Sequence, residues 1–400
     1  MRSRIRELQA ELSSYKSRAP PVASNPTPSE TSVATSSPSS TRDNRHSDNS
    51  PSHPSSPSSS SSAVSKPQWE GIYVATSRSD QTSYYGPSSH FYYVSRIGVY
   101  LNKALQQPCA ARSMQPQEAR RNAALTNPNE ADDKELQPYQ AAGGGLQTPS
   151  MTRTQEEYFL SIFWESYHCT TAIIDEVEFR RHYASLWDPS KPHRKQSPLV
   201  DIVLALCLQY GYTFIPRDAS RPDPSSDDAT MAGRWYYRRA QSLLTADLES
   251  PTLTTVQCLI FSTTYLCCAS FQNMAHITMA QTVRTAQILG LHLEPPADMA
   301  PAERELRKRI WWVLWLNEAK MAAKLGRPIA IDRRQVTVAP PSDDMDAACA
   351  NGAMLGSYGG ATWLTYLVQM QKLIDTAFGI YEAMSAKFCL LYTSPSPRDS

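Results

Sequence analysis

The residues best equipped for chemistry are eight histidines and eight cysteines, and their spacing serves none of the familiar purposes. Cys109, Cys169, Cys207, Cys258, Cys267, Cys268, Cys349 and Cys389 include no C-x-x-C pair, so neighbours in this sequence cannot build a zinc cluster. His168-Cys169 and Cys267-Cys268 are adjacent pairs. Adjacent residues on a helix point to different sides, so neither pair makes a metal clamp. There is no H-E-x-x-H, no Gly-rich phosphate loop, no G-x-S-x-G elbow and no G-x-G-x-x-G after a strand. Ser13-Ser14-Tyr15-Lys16 matches S-x-x-K, but it closes a short helical stretch beside Ser/Pro-rich sequence, and coincidence explains it. The expectation is a chain that is not an enzyme, with no catalytic residue, no metal ligand and no cofactor of its own.

Charge is equally uncommitted. The formal net charge is +1, without the basic excess of a nucleic-acid binder. Arg304, Arg307, Lys308 and Arg309 form the densest basic stretch, but Glu303 and Glu305 stand four residues before Arg307 and Arg309. Such i,i+4 pairing predicts a solvated helix face rather than a phosphate contact. Residues 250–282 lack Asp, Glu, Lys and Arg, yet they carry so many Thr, Ser and Gln that buried helices are expected, not a membrane span. The N-terminus has no apolar h-region, which fits a reducing cytosolic or nuclear compartment.

The elements that would position any site follow from patterning. In residues 1–17, Ile5, Leu8, Leu12 and Tyr15 are spaced as an a/d seam. Two turns of seam fit either a frayed amphipathic helix or a short dimerising coiled coil. Residues 18–68 are Ser/Pro-rich and are expected to be a disordered linker. Residues 69–107 hold a dense aromatic cluster, a Gly86-Pro87 turn and a helix carrying Val94, Ile97, Leu101 and Leu105 on one side. This segment reads as an extended arm and helix docked on the main domain. Residues 108–151, with Gly143-Gly144-Gly145, read as a second flexible linker.

From residue 152 to residue 391 the pattern is helical, and the fold class is all-α, a multi-helix bundle or stack. The first helix groups Tyr158, Phe159, Ile162 and Phe163. Apolar runs follow over residues 198–210, 235–248 and 253–268, and the stripe Met279, Val283, Ala286, Leu289 ends at Gly290. A helix opening at Pro301 places Leu306, Ile310, Val313, Leu314, Asn317 and Met321 on one face. The last residues, 392–400, are unrelated to a continuing helix and read as a non-native or truncated end.

Three blocks in this order carry a family resemblance: Arg284 through His292, then Glu303 through Trp312, then Leu325-Gly326-Arg327-Pro328-Ile329-Ala330-Ile331. With Tyr158-Phe159, Ile173-Ile174-Asp175, Phe179 and residues 251–257 they resemble the central regulatory domain of fungal zinc-cluster transcription factors, over residues 152–341. Asn317-Glu318-Ala319-Lys320 departs from that pattern. The resemblance implies a nuclear regulator of RNA polymerase II genes that contacts DNA through an N-terminal zinc cluster not contained in this sequence, with zinc bound there only. It further implies homodimerisation through Ile5, Leu8, Leu12 and Tyr15, contacts with co-regulators, a possible small-molecule inducer and no membrane association. The alternative is a partner without its own DNA reader that restrains related regulators.

Within the motif, Trp311 and Trp312 point to different faces. One is expected in the core and the other against the loop of Gly326, Arg327 and Pro328. In that loop glycine permits the turn, proline fixes it, and Arg327 can pin helix carbonyls or a carboxylate. No effector-binding residue is identified. The aromatic arm, Arg78 to Gln81 with Tyr84 to Ser89, is similar to a segment of regulators of plant-cell-wall sugar use.

Overall fold

A computed structural model describes residues 71–76, 78–105, 151–212, 229–343 and 361–393, the last ten by backbone only. The expectations for residues 1–17 and 18–68, for nearly all of 108–151 and for 394–400 lie outside the described residues.

The aromatic arm is a β-hairpin. Strands β1 (Ile72–Thr76) and β2 (Ser79–Tyr85) pair antiparallel, Ile72 opposite Tyr85 and Tyr73 opposite Tyr84, with an irregularity between Val74 and Thr76. Helix α1 (His90–Leu105) comes next. It is not docked along its apolar side: none of its residues is buried, and Val94, Ile97 and Leu105 are exposed. The hairpin makes the attachment, and α1 is held from its first turn, where Phe91 packs on buried Tyr85 at 4.3 Å between ring centres.

All other described helices surround one core. Helix α2 (Arg153–Ile162) starts at a capping box, Thr152 with Gln155, and runs into a π-helical turn, Phe163–Tyr167. The buried positions here are Glu156, Leu160, Phe163 and Trp164, while Tyr158 stays exposed. Of the residues grouped by the sequence, Phe163 is buried and Phe159 and Ile162 are half-buried; Tyr158 alone is corrected, to the exposed side. Helix α3 (Glu176–Ser185), capped by Asp175, buries only Phe179 and Tyr183.

Helix α4 (Pro198–Tyr212) is buried almost all round, as its continuous apolar run requires, and packs against α2, α5 (Arg234–Asp247) and α6 (Leu253–Cys268). Helix α6 opens at a second capping box, Thr252 with Thr255, and lies along α7 (Gln272–Ile288). Gly290, at φ 68°, stops the chain after α7. Helix α8 (Pro301–Leu325) has Pro at its start and left-handed Gly326 at its end. It touches α6, α7, α1 and α9 (Thr365–Thr393).

The expected one-sided burial of α8 understates it: every residue from 308 to 316 is buried. Arg309 is 0% exposed, so the predicted solvated basic face is wrong at that position. Among the described residues no helix is long and apolar enough to cross a membrane.

Candidate functional site

Three polar constellations stand out. The first joins the hairpin to the C-terminal end of α8. Gly326 takes φ 64° and ends the helix, and Gly86 lies directly on it, its N–H donating to Leu325 O at 3.1 Å. Ser88 Oγ donates to Ala323 O at 3.0 Å. The next residue after the glycine stop, Arg327, reaches back to the hairpin. Its Nε donates to Tyr84 O at 3.1 Å, its Nη2 donates to Asn273 Oδ1 at 3.0 Å, and its guanidinium lies 5.2 Å from the Tyr85 ring centre.

Asn273 in turn donates from Nδ2 to Ser83 Oγ at 2.9 Å. Arg327 Nη1 lies 3.4 Å from Nδ1 of His276, whose pKa is lowered by burial and then by the Arg327 charge, which leaves that nitrogen free to accept. At the hairpin's other end Arg78 donates to Ala269 O at 3.1 Å and sits 4.9 Å from the Phe271 ring centre. Arg327 therefore pins a strand carbonyl and a side-chain amide, not the helix carbonyl or carboxylate expected from the sequence.

The remaining motif residues are placed separately from this socket. Trp311 is buried beside His292, with ring centres 5.8 Å apart. Trp312 is buried too, and its Nε1 donates to Ala339 O at 2.9 Å, a bond to the chain beyond the Gly326–Pro328 loop rather than to that loop. Pro328 is exposed in the loop. Ile5, Leu8, Leu12 and Tyr15 lie outside the described residues.

The departing segment at 317–320 is used structurally. Buried Glu318 accepts from Ala330 N at 2.8 Å, while burial raises its pKa. It thereby closes the far side of the loop.

The second constellation is an ion network linking α2, α4 and α5. Glu156 accepts from Arg194 Nε at 2.8 Å, Arg194 Nη2 reaches Asp201 at 2.5 Å, and Arg239 grips the same Asp201 through two nitrogens. Arg239 also lies 4.3 Å from the Trp235 ring centre. Glu156, Arg194 and Asp201 side chains are at most 3% exposed. Burial raises the Glu156 pKa against the opposing pull of Arg194. Two cations balance two anions here, so the network holds helices together and leaves no charge for a substrate.

The third lies between the π-turn, α8 and the start of α9. His168, Trp164, Arg309 and Trp363 converge there, all buried. Sequence reasoning missed Arg309, although a signal exists: Trp312 and Val313, three and four residues on, put it on an apolar stripe of α8. Nothing in the sequence signals the π-turn.

No group of three or more His, Cys, Asp or Glu side chains is arranged to hold a metal among the described residues. With no C-x-x-C pair in the sequence, the cysteines present do not fit a zinc cluster.

Residues 160–351 match the fungal specific transcription factor domain. The chain is 34% identical over 313 residues to the terreic acid cluster-specific transcription factor atF of Aspergillus terreus, covering 77% of this chain and 46% of that protein. It is 37% identical over 265 residues to the transcription factor asqA of Emericella nidulans, covering 64% and 47%. The oosporein cluster regulator OpS3 of Beauveria bassiana is 29% identical over 189 residues, 46% of this chain and 25% of its own. The chain thus spans about half the length of the first two relatives. No solved structure matches it significantly. With the motif blocks of α7, α8 and the Gly326 loop falling inside the matched residues, residues 160–351 of this chain belong to the fungal specific transcription factor domain family.

Proposed function

We propose that these 400 residues are the regulatory body of a nuclear, pathway-specific transcription factor that controls a biosynthetic gene cluster. The observation that carries this reading is the set of relatives: proteins named for the terreic acid, oosporein and sorbicillinoid clusters all match this chain. DNA reading is assigned to a six-cysteine zinc cluster that these residues do not contain, and dimerisation to the seam of Ile5, Leu8, Leu12 and Tyr15.

The Gly86–Gly326 socket supports a regulatory role in a physical way. It ties the hairpin, which follows the N-terminal part of the chain, to the end of the central helix α8. Rearrangement of the core around α8 is felt first at Arg327 and then by the hairpin it holds. Co-regulators and an inducer act on this body without any bond being made or broken in a substrate.

The test is transcript profiling in the source fungus with the gene deleted and overexpressed. Coordinated loss and gain of transcripts from one contiguous biosynthetic cluster is expected. Changes confined to plant-cell-wall sugar catabolism would move the assignment to the carbohydrate regulators that the arm resembles. Derepression on deletion, with no promoter occupied by the protein itself, would favour the partner lacking a DNA reader.

A further inference from the structure

The contact between His276 and Arg327 allows only one state of charge. His276 is half-buried on α7, and its Nδ1 lies 3.4 Å from Arg327 Nη1. A guanidinium has donors and no acceptor, so this bond exists only while Nδ1 keeps its lone pair, that is, while the imidazole is neutral. A proton on Nδ1 replaces the acceptor with a second donor and sets one cation against another.

The surroundings do not absorb that second charge. The other partners of Arg327 are neutral: the carbonyl of Tyr84, the amide oxygen of Asn273 and the face of the Tyr85 ring. Helices α6 and α7 contain no Asp or Glu. Around α7 the titratable groups are Cys267 and Cys268 at the end of α6 and Tyr84 and Tyr85 of the hairpin, all pushed up by burial and so uncharged between pH 5.5 and 7.5. The charged groups are mostly cations: Lys320 and Lys324 of α8, Arg284 of α7, which bonds Gln287, and Arg78 at the far end of the hairpin. Glu318 of α8 is committed to Ala330 N. A second histidine, His90 at the start of α1, meets the same sign of charge, its pKa lowered by burial and then by Lys324.

Arg327 is also the residue that grips the hairpin, through Tyr84 O directly and through Asn273, which bonds Ser83. We infer that the joint between hairpin and α8 is a proton-operated latch, closed while His276 is neutral and released when His276 takes a proton and drives Arg327 off Tyr84 and Asn273. The direction follows from the contact. Burial, and then the Arg327 charge, hold the His276 pKa below its ordinary 6.5, so the closed hairpin has its full advantage above pH 6.5 and loses it as pH falls. The latch deepens the regulatory role proposed for the Gly86–Gly326 socket and rests on that reading for its use, while its operation is independent of which genes the protein controls.

The experiment is hydrogen exchange on the full chain at pH 7.5 and pH 5.5, read as protection factors so that the pH dependence of intrinsic exchange is removed. Residues 72–85 are less protected than α4 and α6 at both pH values, because the hairpin opens while the core stays folded. Their protection falls about 3–10-fold from pH 7.5 to pH 5.5, the upper end being set by a released imidazole that is protonated about ten to one at pH 5.5. His276→Asn keeps a neutral acceptor near Nδ1 and holds the fall below about 2-fold. His276→Ala, with no acceptor at either pH, lowers hairpin protection at pH 7.5 and is equally flat. His90→Asn retains the response of the wild type. His168, whose burial affects the stability of the whole fold, is present in every one of these proteins and cancels.

Unchanged hairpin protection in the wild type between the two pH values overturns the latch. So does an equal fall in His276→Asn, or a response abolished by His90→Asn alone, which moves the switch to the other histidine. Equal protection of hairpin and core overturns it too, since the two then open together. Gly86→Ala tests the attachment itself: a hairpin that it loosens, in a protein whose wild-type protection ignores pH, leaves the socket standing and removes only the latch.

Discussion

Gly86 and Gly326 meet backbone to backbone: a Cβ on Gly86 would fall 2.0 Å from the carbonyl oxygen of Gly326, and one on Gly326 would fall 2.5 Å from Cα of Gly86. Neither neighbour is a side chain that can swing aside. The contact is what lets Gly86 N–H reach the last turn of α8 and what brings Tyr84 within reach of Arg327.

Gly86→Ala is therefore expected to detach the hairpin without unfolding the helical core. Hydrogen exchange should quicken across residues 72–85 and stay slow in α4 and α6. Gly326→Ala adds the strain of a left-handed alanine, about 1 kcal/mol or more, to the same clash. It should lower Tm further than Gly86→Ala does. Equal protection of the hairpin in wild type and both variants would contradict the contact.

Arg327 holds two partners at once, and geometry rather than charge makes that possible. Lysine, a point donor on a flexible stem, cannot address Tyr84 O and Asn273 Oδ1 together while lying on the Tyr85 ring. Arg327→Lys should lose most of the stability that Arg327→Ala loses, about 1–3 kcal/mol by urea denaturation. Pairing Arg327→Ala with Asn273→Ala in a double-mutant cycle should give a coupling above about 0.5 kcal/mol, because the two side chains bond each other.

The buried ion network gives the largest expected loss. Asp201→Asn removes the charge that serves both Arg194 and Arg239, with Arg194 3% exposed at its side chain. Breaking one partner of such a pair typically costs about 3–5 kcal/mol, since the cations remain buried. Arg153→Ala, in the exposed pair with Glu157 whose side chains are 55% and 50% exposed, should change stability by less than about 0.5 kcal/mol. Comparing the two urea midpoints checks the difference.

Local signals were legible in the sequence and distant ones were not. Gly290 as a helix stop and the run from Pro198 are written in a few adjacent residues, and the structure has both. Helix α3 escaped because EVEFRRHYAS shows one polar face after another and buries only two residues. Arg309 was misread because i,i+4 pairing with Glu305 is a rule for exposed faces, and its tryptophan neighbours place it inside. The hairpin socket was out of reach altogether: Tyr84 and Arg327 are 243 residues apart. Each glycine alone is only permission for a turn, and only the fold shows that two of them are needed to touch.

His168 provides the pH dependence. Burial, with the Arg309 charge behind it, holds its imidazole down at about 3 in the folded protein, against 6.5 for a free side chain. The folded state therefore refuses a proton that the unfolded chain accepts. Its contribution is complete above pH 6.5 and is lost as pH falls from there toward 3, where it levels off. At pH 4.5 the loss amounts to ~3 kcal/mol. His168→Phe should remove this component, so that urea stability measured between pH 7 and pH 4.5 falls less steeply in the variant than in the wild type. Asp175 and Glu305, which face Arg309 from α3 and α8, are present in both proteins and cancel in the comparison. Identical slopes would mean that the imidazole reaches water in the folded state.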